Sequence, residues 1–302
     1  MELLQVKLSE IDLSSRTFVF SFPPRGDLLR ESLRRVGLIE PPVITEHEGR
    51  FLPVAGEGRL LALRDLGAER APVLLARGLS PLKAQEQALE SNLFRDLNPV
   101  EKAEALARFS RYLSPEEAAS KVLPRLGFSA EARWYFLLLR LSEAPRELKE
   151  AVAQRGLPLK VAERLLRFPP EALVRTLGLL ERLRFTVSEA REVTEGLLDL
   201  SRKEDRPLTE LLEEFEAFSS RDAFLKAFRG RLRPHLFRRE EETRRLREAL
   251  LSQGARLESP PAFERDEHHL IIPFKDRSEL SRRLRRLADF LEKESRAAGD
   301  RG

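Results

Sequence analysis

Three times between Ser80 and Glu117 an oxygen-bearing side chain is followed at once by proline: Ser80-Pro81, Asn98-Pro99-Val100-Glu101 and Ser114-Pro115-Glu116-Glu117. Each reads as a helix start, with an N-cap acceptor and a ring that pre-sets the first helical φ; the last two add a glutamate that completes a capping box. These signals split the chain. Before them strand-like and helix-like stretches alternate, and from Ser80 onward the pattern is helical nearly throughout.

The early part predicts strands over Leu4–Leu8, Pro42–Thr45, Phe51–Ala55 and Ala71–Ala76, with helices over Leu28–Val36 and Arg59–Leu66. Glu48-Gly49 sits between two strand candidates as a hairpin turn. The later part predicts a helix from Ser114 to near Leu126-Gly127 and a second from Ala130 to about Leu141, a helix-turn-helix spacing. Further helices are expected at Pro145–Gln154, Leu159–Phe168, Pro170–Leu183, Ser188–Ser201 and Leu208–Phe228. Ser259-Pro260-Pro261 reads as a linker. Beyond it His269–Phe274 reads as a strand and Arg277–Glu294 as a helix with Leu280, Leu284, Leu287 and Leu291 on one face. A lone strand and helix cannot bury both apolar faces, so self-association of the tail is expected.

Composition narrows the chemistry. The 302 residues contain no cysteine, which excludes disulfides, thiolate metal sites and cysteine nucleophiles, and the four histidines are too scattered for a zinc cluster. No apolar run reaches the ~20 residues that span a bilayer, and the start lacks signal-peptide features, so a cytoplasmic protein is expected. Charged residues make up 34% with a net charge of only +4, and ten of the 54 basic residues are lysine against 44 arginines. Heavy, balanced charge with no cysteine also fits a thermophile. Arg229–Arg247 holds eight arginines against three glutamates, either a solvated helix or a contact for polyanions.

Chemistry concentrates at two places. Val54-Ala55-Gly56-Glu57-Gly58-Arg59 runs from a strand through a glycine turn into a helix, which lets backbone amides meet an anion with Arg59 alongside. Glu90-Ser91-Asn92-Leu93-Phe94-Arg95-Asp96-Leu97-Asn98-Pro99 joins the mixed part to the helical part.

Together with Glu31-Ser32-Leu33-Arg34-Arg35-Val36-Gly37-Leu38-Ile39-Glu40-Pro41, these boxes resemble, in order and spacing, the "AGERR", "ENLQREDLNP" and "ESIRENGLLQP" boxes of ParB-type chromosome and plasmid partition proteins. The resemblance covers roughly residues 28 to 170. It implies a multidomain α+β protein: a small α/β ParB/sulfiredoxin-like N-terminal domain over 1–97, an all-α helix-turn-helix middle domain over 98–228, an arginine-rich helix and linker over 229–260, and a small strand-helix dimerisation module over 261–302. It further implies a homodimer that binds DNA, is nucleoid-associated, works with a ParA-type partition ATPase, and uses CTP and Mg2+ to close as a sliding clamp.

Carried over by position, Gly37, Gly56, Glu57 and Arg59 surround nucleotide phosphates, with Asn92 and Arg95 at the triphosphate and Asn92 as a metal ligand. Gly58 replaces an arginine of the family pattern and Ser91 a glutamate, which weakens the phosphate and magnesium sites and leaves at most a weak CTPase. Lys121, Arg125, Ser129, Arg133, Arg140 and Lys160 are the candidate DNA contacts, opposed by Glu131, while Trp134, Leu137, Leu138 and Leu141 are expected to face the core. The alternatives are a diverged member that binds DNA nonspecifically or regulates transcription, and a ParB-like nuclease, for which the first domain lacks clustered carboxylates. Sulfiredoxin chemistry requires the missing cysteine.

Overall fold

The computed structural model describes residues 1–24, 26–258 and 268–299, and forms two compact units, Met1–Arg221 and Asp222–Gly302. The first unit opens with β1 (Glu2–Lys7), α1 (Gly26–Val36), β2 (Val43–His47), β3 (Arg50–Ala55), α2 (Glu57–Asp65), β4 (Arg70–Leu75) and α3 (Pro81–Glu90). The sheet order is β1-β4-β2-β3, with β2 and β4 parallel and the other neighbours antiparallel. Glu48 and Gly49 both take positive φ, 52° and 74°, as a two-residue hairpin turn between twisted strands demands. Val6, Leu8, Ile11, Ile44, Leu60, Ala71, Val73 and Leu75 form the core beneath this sheet.

The unit continues through α4 (Pro99–Phe109), α5 (Pro115–Lys121), a 3-10 turn (Pro124–Leu126), α6 (Ala132–Ser142), α7 (Arg146–Gln154), α8 (Leu159–Leu165), α9 (Pro170–Arg182), α10 (Val187–Glu204) and α11 (Leu208–Glu216). All three expected caps form. Ser80 accepts from the Lys83 amide, and Asn98 and Ser114 each close a capping box with Glu101 and Glu117. The helix expected to reach Leu126 stops at Lys121, and Pro124, which cannot donate to a helical ladder, starts the 3-10 turn instead.

The expected helix Leu208–Phe228 is two helices. Arg182 donates to the carbonyls of Glu216 at 2.9 Å and Phe218 at 2.8 Å, satisfying the end of α11 from a distant element. On α6 the buried face is Tyr135, Leu138 and Leu141, against α4, whereas Trp134 is only half-buried and packs on Phe128 at 5.0 Å.

The second unit begins one residue into α12 (Arg221–Leu232) and continues with α13 (Pro234–Ser252), β5 (Arg256–Glu258), β6 (His269–Ile271) and α14 (Arg277–Gly299). The C-terminal strand is not alone: β5 pairs with β6 antiparallel, placing Leu257 opposite Leu270. Leu250, Ala255, Leu257 and Leu287 form its core, with Ile272 and Leu291 at the margin, while Leu270, Ile271, Phe274 and Leu284 stay exposed. The linker expected at Ser259-Pro260-Pro261, and the boundary at 260/261, lie outside the described residues.

Candidate functional site

The turn between β3 and α2 is built for glycine. Gly56 is the left-handed N-cap of α2 at φ 80°, and a Cβ there would lie 2.8 Å from the Arg59 guanidinium. Arg59 lies across this turn and donates from Nη1 to the Glu40 carbonyl at 2.6 Å and to the Glu40 carboxylate at 3.1 Å. Gly37, at φ 74°, ends α1, which packs on α2.

Glu57, the first residue of α2, is 6% exposed. Its Oε1 accepts from Arg16 Nη1 at 2.8 Å, and its Oε2 is buried with no partner. Burial pushes the carboxyl above its ordinary value, against the opposing pull of Arg16 and, more distantly, Arg108.

A second cluster closes α3. Asn92 donates to the Ala88 carbonyl at 2.8 Å and accepts from Arg95 Nε at 2.9 Å. Arg95 Nη1 donates to Glu101 Oε2 at 2.8 Å, and Glu101, fully buried, also holds the Asn98 amide as part of the α4 cap. Arg95 Nη2 is buried without a partner. A buried guanidinium N–H without a partner is costly, and an anion brought against it would satisfy it.

The segment from Arg16 to Phe22 joins these elements to the helices. Arg16 Nη2 donates to the Ser21 carbonyl, Asn98 donates to the Phe22 carbonyl at 2.8 Å, and Arg108 Nε donates to the Arg16 carbonyl at 2.9 Å. Arg108 in turn pairs with Glu104 at 2.8 Å, and Lys149 of α7 pairs with the same carboxylate at 2.8 Å. A continuous polar path therefore runs from Glu57 through Arg16, Arg108 and Glu104 to Lys149. Arg16, Glu104, Arg108 and Lys149 carry no sequence signal, while Glu101 is marked only as part of the α4 cap and Glu40 only by lying in the box that ends at Pro41; Arg16 and Glu57, Arg59 and Glu40, and Lys149 and Glu104 meet across 41, 19 and 45 residues of chain.

The candidate DNA residues are spread over α5, α6, α8 and the turns between, and most are already paired. Lys121 bonds Glu117 at 2.8 Å and Arg125 pairs with Glu90. Arg133 pairs with Glu131 at 2.9 Å and stacks on Trp134, whose indole donates to Ser129; Ser129 itself bonds Glu131. Arg140 turns away to the Leu166 carbonyl. Lys160 is exposed on α8, with no ion pair among the described residues.

No protein-family model matches the chain. A probable chromosome-partitioning protein ParB of Chlamydia muridarum is 31% identical over 224 residues, covering 67% of this chain and 75% of that protein. The chain belongs to the ParB family. ParB-family relatives also include the chromosome-partitioning protein Spo0J of Thermus thermophilus, 32% identical over 59% of this chain and 65% of that one. A nucleoid occlusion protein of Geobacillus kaustophilus is 34% identical over 46% of this chain and 49% of that protein. Among solved structures, Caulobacter crescentus ParB complexed to the centromeric parS site aligns with 64% of this chain and 98% of its own, at 18% identity and a TM-score of 0.35. A Pnob8-like ParB-N domain aligns at 20% identity and a TM-score of 0.38 over 64% of this chain and 94% of its own. Both scores are low for whole-chain superposition, and membership rests on the sequence relatives.

In this ParB-family chain the residues around Asn92 do not fit a protein-held magnesium ion. The Asn92 carbonyl oxygen is taken by Arg95, the Ser91 hydroxyl donates to the Ala88 carbonyl, and no group of three or more histidine or acidic side chains suited to a metal occurs among the described residues. The anion donors are a better match: Arg59, Arg95 Nη2 and the amide end of α2 all suit phosphate.

Proposed function

We propose that this chain is a chromosome-partitioning protein that binds CTP through its first unit, DNA through α5 and α6 as a helix-turn-helix, and a second copy of itself through its second unit. The observation that carries the reading is the Gly56 turn with Arg59 folded over it, together with the orphaned Arg95 N–H. In this reading Arg59 and the α2 amides hold phosphate oxygens, and Arg95 supplies a further donor held in place by Glu101. The polar path from Glu57 to Lys149 gives phosphate binding a physical route to α4 and α7. Partition would then require the dimer to load on DNA, the first units to engage one another as a clamp, and a ParA-type ATPase to move the complex on the nucleoid in the cytoplasm. Gly58 and Ser91 leave hydrolysis weak at best.

A second reading, DNA association without sequence readout, is favoured by Glu131, which already engages Ser129 and Arg133 at the start of α6. Fluorescence anisotropy with labelled duplexes from the same genome separates the two. Clamp loading predicts a preferred duplex and a CTP-dependent change in binding; uniform, CTP-insensitive binding selects the second reading.

A further inference from the structure

The Arg59–Glu40 pair has the wrong occupant for a phosphate site. Arg59 is only 23% exposed and is fixed by three features of its surroundings: the Gly56 turn beneath it, the Glu40 carbonyl at 2.6 Å and the Glu40 carboxylate at 3.1 Å. Glu40 is 81% exposed, yet its backbone is anchored, because Pro42 follows closely and accepts from the Leu74 amide of β4 at 2.8 Å. The carboxylate can therefore leave for solvent at little cost while the carbonyl keeps its hold on Arg59. A carboxylate and a phosphate offer a guanidinium the same paired-oxygen face.

We propose that Glu40 is an internal anion that competes with the nucleoside triphosphate for Arg59, setting the affinity of the pocket. Binding exchanges the Glu40 carboxylate for a phosphate oxygen, with the Arg59–Glu40 carbonyl contact retained. Glu40 is thus a positioning residue acting through Arg59. The inference rests on the nucleotide reading above.

Calorimetric titration of CTP into the full chain tests it, using wild type, Glu40→Gln, Glu40→Ala, Arg59→Ala and the Glu40→Gln/Arg59→Ala double variant at two salt concentrations. Removing an exposed carboxylate from a guanidinium should tighten CTP binding about three- to tenfold at low salt, with the gain shrinking at high salt. The gain should vanish when Arg59 is absent. Equal CTP affinity in wild type and both Glu40 variants overturns the inference alone. A gain that persists without Arg59 also overturns it, since Glu40 would then act only through its long-range charge. No binding by any variant overturns the nucleotide reading and this inference with it. Because Glu40 is exposed, thermal melts of the Glu40→Gln and Glu40→Ala variants should stay close to wild type.

Discussion

Glu57 and Arg16, 41 residues apart, meet at 2.8 Å at the head of α2, yet only one oxygen of the Glu57 carboxylate finds a partner. The pair holds the segment after β1 against the glycine turn. It also leaves a carboxyl whose charge is disfavoured by burial more than it is favoured by Arg16. A residue kept in that condition beside the Gly56 turn is poised to respond when an anion or a cation arrives beside it.

Glu57→Gln should reveal this through pH. The ordinary carboxyl value is 4.5, and the folded-state value lies above it, so above pH 4.5 the folded protein holds more protons than the unfolded chain and its stability falls as pH rises. The glutamine variant lacks that loss. Thermal melts should show it gaining on wild type as pH rises from 4.5 toward 7, with the difference flat in more acid solution. A wild type that gains on the variant over the same range contradicts the sign.

The Glu104 carboxyl shows the opposite balance. Burial works against its charge, but hydrogen bonds from Lys149 and Arg108 outweigh it and hold the carboxyl below its ordinary value. Its stabilising effect is present above pH 4.5 and is lost as pH falls. Glu104→Ala strands the buried Arg108 and the half-buried Lys149 and should cost about 3 kcal/mol in urea unfolding at pH 7. The cost should shrink in acid, where wild type loses the same pair.

Ser91→Glu should create the metal requirement that the present residues do not support. A carboxylate beside Asn92 supplies the hard oxygen ligand missing there. Calorimetry with CTP should show magnesium improving affinity more in the variant than in wild type; an equal magnesium effect in both would mean that Ser91 does not face the phosphates.

Glu131→Gln should release Arg133 and Ser129 for DNA. The expected outcome is tighter duplex binding and a steeper salt dependence, by about 0.9 in the slope of log affinity against log salt for one added phosphate contact. Unchanged affinity and slope would place the start of α6 away from the DNA.

What could be read from residues alone was what is local. The caps at Ser80, Asn98 and Ser114, the Glu48-Gly49 turn and the Gly56 turn each depend on three or four adjacent residues, and all formed. The break between α11 and α12 was invisible because Arg182, more than thirty positions earlier, satisfies the helix end. β5 was missed because three residues with one buried leucine carry no period. The ion path from Glu57 to Lys149 was hidden for the same reason: Arg16 and Arg108 are 92 residues apart, and an arginine in an arginine-rich chain announces nothing. Arg59 was recognisable as an anion partner, whereas its present engagement with Glu40 required the folded turn.

The most direct measurement is calorimetric titration of CTP into the full chain, wild type beside Arg59→Ala, with and without duplex DNA from the same genome. We predict binding by wild type that responds to DNA and is lost in Arg59→Ala. Absence of binding by wild type under every condition, or binding that is indifferent to Arg59, would contradict a nucleotide pocket at the Gly56 turn.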